Sequence, residues 1–172
     1  TISPKTFKLT NATGACGPAI YRGGQFPEEF QNWAFVCESS AQLVKAIKVD
    51  AAGIKVSGSH PLDKRDFLTS TDERFRPVNI YTAPDGSLYL LDMYHGIIQH
   101  KTYMTSYLRR QTLSRGLDGP GFGHGRIYRI RAKSKPLDKM VNLEKANSKS
   151  LAAILVSKNG IHRDLAQKEI ID

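Results

Sequence analysis

Cysteine is scarce in this sequence. The two residues, Cys16 and Cys37, are too few for a disulfide scaffold and lack the partner spacing that zinc or c-type haem attachment requires. From the residues alone they can be a cross-linked pair or two buried thiols. Long apolar runs are lacking as well: none reaches the roughly 20 residues a membrane-spanning helix needs, and no signal peptide stands at the amino end. The chain opens at Thr1 without a Met, as expected of a mature or excised piece, so the missing signal says little about compartment. Despite a formal net charge of +9, Lys and Arg are not massed on one element with aromatics between them, as a nucleic-acid surface requires. The nearest clusters are Arg109 with Arg110 and the run RIYRIRAKSK from Arg126 to Lys135, where alternation predicts an ordinary solvated strand face. No nucleic-acid partner is expected. A Ser-His-Asp order and a phosphate-binding glycine loop are also missing.

What the sequence does contain is short alternation of apolar and polar residues between Gly, Pro, Asp and Asn, the pattern of half-buried strands. Strands are predicted near 18–22, 33–38, 42–49, 53–57, 77–82, 87–92 and 126–131. The clearest join is TAPDGSLYLLD, in which Pro84 fixes φ and Asp85-Gly86 tolerates the left-handed region, so Leu88–Leu91 fold back on Val78, Ile80 and Tyr81.

The unit repeats. GPAIYRGG…FQNWAFVCESSAQLVKAIKVD lies over RPVNIYTA…PDGSLYLLDMY…GRIYRIRA with a period of about sixty residues. Pro18 falls on Pro77, Ala34-Phe35-Val36 on Leu88-Tyr89-Leu90, Glu38 on Asp92, and Leu43–Lys48 on the RIYRI strand. Such units suggest propeller blades, with two hairpins of a sandwich as the alternative. The expected fold is mainly β, a partial β-propeller of two to three blades over residues 1–134, followed by an α-helical hairpin over 135–172. Too few blades are present to close a ring, which implies a larger protein or an assembly. The hairpin rests on Leu151, Ile154 and Leu155, then Ile161, Leu165 and Ile170, at helical spacing. Ser148 or Ser150 is expected to cap its first helix, Asn159-Gly160 to end it and Ile161 to open the second. A lone helical pair is marginal, so it should dock on the sheets or begin a longer array. The repeat also puts Cys16 and Cys37 at neighbouring strand ends, where a disulfide is geometrically plausible.

Chemistry is expected on one face. There the segment entering Pro77 meets the long excursion from Asp92 to Gly125, and long loops are more often functional than incidental. The candidates are His60, Asp72, Arg74, Arg76, Asp92, Tyr94, His95, His100 and His124. Each has a structural alternative. Asp92 can cap its own turn, and Arg76 can brace against Asp72 rather than bind an anion. His95 and His100 are five apart, which fits neither a helical nor a strand metal face, so any metal ligand is unknown. GFGHGR can bring backbone close to a ligand or simply turn.

DFLTSTDERFRPVNIYTAPDGSLYLLDMYHGIIQHKTYM, with GHGRIYRI after it and GACGPAIYRGGQFP…AFVCESSAQLVKAIKV before it, resembles the propeller of the membrane-bound dehydrogenases of planctomycete and verrucomicrobial type. NGIHRDLAQKEII resembles the first HEAT-like repeat that follows it in those proteins. The resemblance implies an exported, periplasmic protein that oxidises a sugar or related alcohol. It also implies pyrroloquinoline quinone and calcium near the propeller axis, and electron transfer to a c-type haem. His100 or His95 would act as general base, with Arg76, Asp72, Asp92, Tyr94 and His124 as ligand contacts. The implied partners are the remaining blades and haem module of a parent protein and a sugar or polysaccharide. Export makes the Cys16–Cys37 disulfide more credible. The sequence departs from the family in having no CxxCH, so the haem would sit on a separate domain, and turnover by this chain alone is not expected. A non-catalytic propeller that binds a glycan or protein partner through the same face is the rival.

Overall fold

A computed structural model describes residues 12–119 and 123–171. These residues are mainly β, forming two antiparallel sheets of five and three strands with three short α-helices. In the first sheet β1 (Ala15–Ile20), β2 (Ala34–Glu38), β3 (Leu43–Ala52) and β4 (Lys55–Ser59) lie side by side in chain order, and β5 (Leu68–Thr69) pairs with β3. The second sheet holds β6 (Pro77–Thr82), β7 (Leu88–Asp92) and β8 (Arg126–Ile130). The helices are α1 (Ser106–Ser114), within the excursion, then α2 (Ser148–Ile154) and α3 (Gly160–Ile171), which contact each other. No helix among the described residues is long and apolar enough to cross a membrane.

The predicted hairpin forms with Thr82 opposite Leu88 and Ile80 opposite Leu90. Its turn closes through Ala83 N–H to Ser87 O at 2.8 Å and Gly86 N–H to Ala83 O at 2.9 Å. Gly86 takes the left-handed backbone (φ 80°), and the Asp85 carboxylate accepts from the Ser87 N–H and hydroxyl at 3.0 and 2.5 Å. Burial works against the Asp85 charge, but these bonds and Arg129 hold its pKa below the ordinary value.

The repeat is visible in the register. Glu38 pairs with Ala15 and Leu43 as Asp92 pairs with Pro77 and Arg126. Both carboxylates do the same work. Glu38 accepts from Gly14 N–H at 2.8 Å and Ser40 N–H at 3.3 Å, and Asp92 accepts from Arg76 N–H and Tyr94 N–H, both at 2.8 Å. Each acid thus pins the residue that precedes the unit's first strand and the second residue after its own strand. One equivalence needs correcting: Ala15, not Pro18, occupies the place of Pro77. β1 has a bulge between Cys16 and Ala19 that answers one in β6 between Pro77 and Asn79, so Ala15–Ile20 runs in step with Pro77–Thr82 and the two prolines do not coincide. The β1 bulge contains Gly17, at φ 52°, where a Cβ would lie 2.5 Å from backbone atoms of Val78 and Asn79. Glycine there lets the two sheets approach across β1 and β6.

The core gathers residues of both sheets, including Phe35, Cys37, Val44, Ile80, Leu88 and Leu90. Burial of each such aliphatic or Phe side chain contributes about 1.5–3 kcal/mol. Tyr21 joins the sheets: fully buried, it donates to Gly86 O at 2.6 Å and accepts from Gln25 N–H and Phe26 N–H at 3.1 and 2.9 Å. Its ring stacks on Phe26 at 4.8 Å. Contrary to the expected alternation, β8 is exposed from Arg126 to Arg129, with Ile130 packed against the core.

Both expected helix caps need correction. Asn147, rather than Ser148 or Ser150, caps α2, its side chain accepting from Ser150 N–H at 2.9 Å. Asn159 does not end the first helix but opens the second, accepting from Ile161 N–H at 3.0 Å. The same side chain donates to Pro84 O at 2.9 Å and to Asp138 at 3.0 Å. His162 Nε2 lies 2.7 Å from Pro84 O, and Arg22 forms a two-bond pair with Asp164 at 2.7 and 2.8 Å. The hairpin therefore docks on the β6–β7 turn and on the segment after β1.

Candidate functional site

The two units differ at one join. Between β2 and β3 the chain turns in Ser39–Gln42, whereas between β7 and β8 the equivalent place holds the whole excursion from Met93 to Gly125. The segment leading into β6 holds this excursion in place. Arg76 is 9 % exposed and donates to three backbone carbonyls: Nε to His95 at 2.8 Å, Nη1 to Ser39 at 3.0 Å and Nη2 to Gly96 at 2.7 Å. Burial lowers its pKa, a trend opposed by Glu73, Asp92 and Asp72. Arg74 donates to Gly116 O at 2.5 Å, and Arg115 pairs with Glu73. The two segments expected to share a face do meet.

Several candidates serve the scaffold. Arg76 spends its fork on carbonyls, and Asp72 accepts from Arg74 N–H at 2.9 Å rather than bracing Arg76. Asp92 is 3 % exposed and caps its turn; its second oxygen lies 3.5 Å from the Tyr128 hydroxyl, whose pKa is raised by burial and by Asp92. Tyr94 takes positive φ (48°) and lies under the Arg126 guanidinium at 3.3 Å, with the His124 ring at 6.4 Å. These three form a cation–aromatic group at the root of β8, its tyrosine half-buried and the other two exposed. His60 stands exposed just after β4, away from them in the fold order. Pro120–Phe122, which include the start of GFGHGR, lie outside the described residues.

The two histidines expected as bases differ. His95 Nδ1 lies 2.5 Å from the carbonyl of Ile97, an acceptor, so that nitrogen carries a proton and, in the neutral ring, Nε2 is the one with the lone pair. His100 instead accepts from Thr102 N–H through Nδ1 at 3.3 Å and lies 5.9 Å from the Tyr103 ring. His95 alone of the two lines a cleft. That cleft, about 610 Å³, is bounded by His95, Gln99, Met104, Arg109, Leu113 and Asp118. The sequence reading did not predict α1, and of the last five of these residues it named only Arg109, as part of a basic pair and not as a site residue. The usable signal was Thr105, whose hydroxyl accepts from Leu108 N–H at 3.2 Å and caps α1.

Cys16 and Cys37 face each other directly across β1 and β2. Both are free thiols, and Cys16 Sγ points to Pro77 O at 3.7 Å. Burial, then the nearby Cys16, pushes the Cys37 thiol from 9.0 up to about 12. The folded state therefore keeps a proton that the unfolded chain loses. The associated stability is complete below about pH 9 and is lost as pH rises toward about 12. Urea unfolding of the reduced protein across this range should show the fall, and Cys37→Ser should flatten it.

Among the described residues no three His, Cys, Asp or Glu side chains are grouped to hold a metal ion. The mainly β fold and this loop-built cleft define the class of the molecule only structurally. The chain belongs to the family described as a domain of unknown function, DUF7133, whose model matches residues 2–134. No curated protein and no solved structure matches it.

Proposed function

We propose that the two sheets are neighbouring blades of a larger β-propeller, and that the face carrying the Met93–Gly125 excursion binds a glycan. The repeated register of the units and the close approach of β1 and β6 support the blade reading. The observation that carries the function is the His95–Asp118 cleft. It falls within the usual volume of ligand sites. Its wall sets hydrogen-bonding groups (Gln99, Arg109, Asp118, the free Nε2 of His95) among apolar ones (Met104, Leu113), as a sugar ring with polar edges and apolar faces needs. Tyr103 and Tyr107 stand 73 % and 67 % exposed on the same excursion, available as platforms for further sugar units. In this reading α2 and α3 begin a HEAT-like array.

A sugar oxidation at this cleft, in an exported parent protein with a haem module, rests on the family resemblance. His95 is its better-placed base. Among the described residues no three carboxylate, His or Cys side chains converge, and no step is derived through a quinone or its calcium. Titration with a panel of neutral oligosaccharides tests the binding reading. Saturable binding is expected, weakened about tenfold in Asp118→Asn and in Arg109→Ala, each of which removes a charged hydrogen-bonding partner. Failure of every oligosaccharide to bind a folded chain would remove it.

A further inference from the structure

We infer that a second cleft, between the segment after β1 and the start of α3, binds a small molecule carrying a phosphate or sulfate ester. The site is independent of the excursion cleft. Its cavity is about 340 Å³, at the lower end of ligand sites and sized for a monosaccharide ester. Four cations remote in sequence line it: Arg22 after β1, Lys135 after β8, and Lys158 and Arg163 from the hairpin. Glu28 is the one carboxylate in the lining, and Phe26 provides an apolar wall.

The nearby acids offset this charge only in part, Asp164 lying close enough to Arg163 to interact with it and Asp138 standing beside Gly24 of the lining. Asp164 is engaged by Arg22, an interaction that raises the Arg22 pKa and lowers that of Asp164. Asp138 accepts from Asn159 at 3.0 Å. Lys135 and Arg163 donate to neutral carbonyls instead: Lys135 to Phe26 O at 3.2 Å, Arg163 to Ser157 O and Lys158 O at 2.5 and 3.2 Å. Gathering like charges on one concave wall costs electrostatic energy that a bound oxyanion would offset. The first amides of α3 are already used, Gly160 N–H by Arg22 O at 2.6 Å and Ile161 N–H by Asn159, so side chains must supply the donors. The wall is also fixed in shape. A Cβ at Gly160 would lie 2.8 Å from Arg22 Cβ and Nε, so glycine lets the Arg22 side chain lie against the helix start.

The test is titration of the full 172-residue chain at constant ionic strength with glucose 6-phosphate, glucose 6-sulfate, inorganic phosphate and glucose. Saturable binding of at least one ester is expected, and the difference between the two esters identifies which group the site prefers. Glucose controls for sugar binding elsewhere. Lys135→Gln with Lys158→Gln, both at exposed positions, should weaken ester binding at least about tenfold with the circular dichroism spectrum unchanged. Absence of saturation by any of the anions up to about 10 mM, or equal ester affinity in the double variant, would overturn the inference.

Discussion

Arg76→Ala should destabilise the chain by about 3–5 kcal/mol, the largest effect of any single substitution considered. The wild-type guanidinium, 9 % exposed, satisfies the carbonyls of Ser39, His95 and Gly96. Alanine leaves those oxygens without a donor and removes the link between the first unit's turn and the excursion. Arg76→Lys should recover little, because one ammonium cannot match a planar fork whose three nitrogens face three separate carbonyls. Urea denaturation reads the loss, and thermal unfolding should fall by about 10 °C. Hydrogen exchange should also accelerate through Met93–Gly119 while β6 and β7 stay protected. If the excursion amides exchange no faster in Arg76→Ala, the guanidinium is not what holds it.

Tyr21→Phe should cost about 2–4 kcal/mol, although it removes a single oxygen. That oxygen serves three buried backbone groups at once, Gly86 O, Gln25 N–H and Phe26 N–H. The ring and its stack on Phe26 remain, so the loss reports unsatisfied polar groups rather than a cavity. Burial also raises the Tyr21 pKa. Its ionisation is thus opposed in the fold, and the stability it contributes is lost at high pH in the same sense as for Cys37. Equilibrium unfolding of the variant at neutral pH measures the cost; a loss below about 0.5 kcal/mol would show that water replaces the hydroxyl.

How far the sequence revealed these features depended on where the partners lie. The β6–β7 hairpin was legible because Pro84 and Gly86 impose their own backbone geometry. The placement of Glu38 on Asp92 was legible because an acid ending a strand has a local backbone to cap, and the two make matching bonds. Pro18 misled the alignment because a shared residue type was matched in place of the register, which the pairing of Ala15 with Glu38 and of Pro77 with Asp92 sets. Strand β5 is only Leu68–Thr69, too short to show alternation. Helix α1 went unread because it buries only Thr112 and so carries no apolar stripe. The partners of Arg76, Asn159 and His162 are mostly backbone carbonyls, which every residue offers and no pattern advertises. That is why Arg76 was readable as a candidate but not as the clamp of the excursion, and why docking of the helical pair on the sheets was expected without Pro84 as its point of contact.

The central claim is that the excursion is a binding device inserted where the first unit has a plain turn. The direct measurement is a chimera in which Met93–Gly125 is replaced by the Ser39–Gln42 turn and Arg76 by the glycine that precedes β1, titrated with the oligosaccharides that the full chain binds. The account predicts a folded β protein, by circular dichroism and cooperative unfolding, that no longer binds them. A folded chimera that binds the same sugars with undiminished affinity would contradict it.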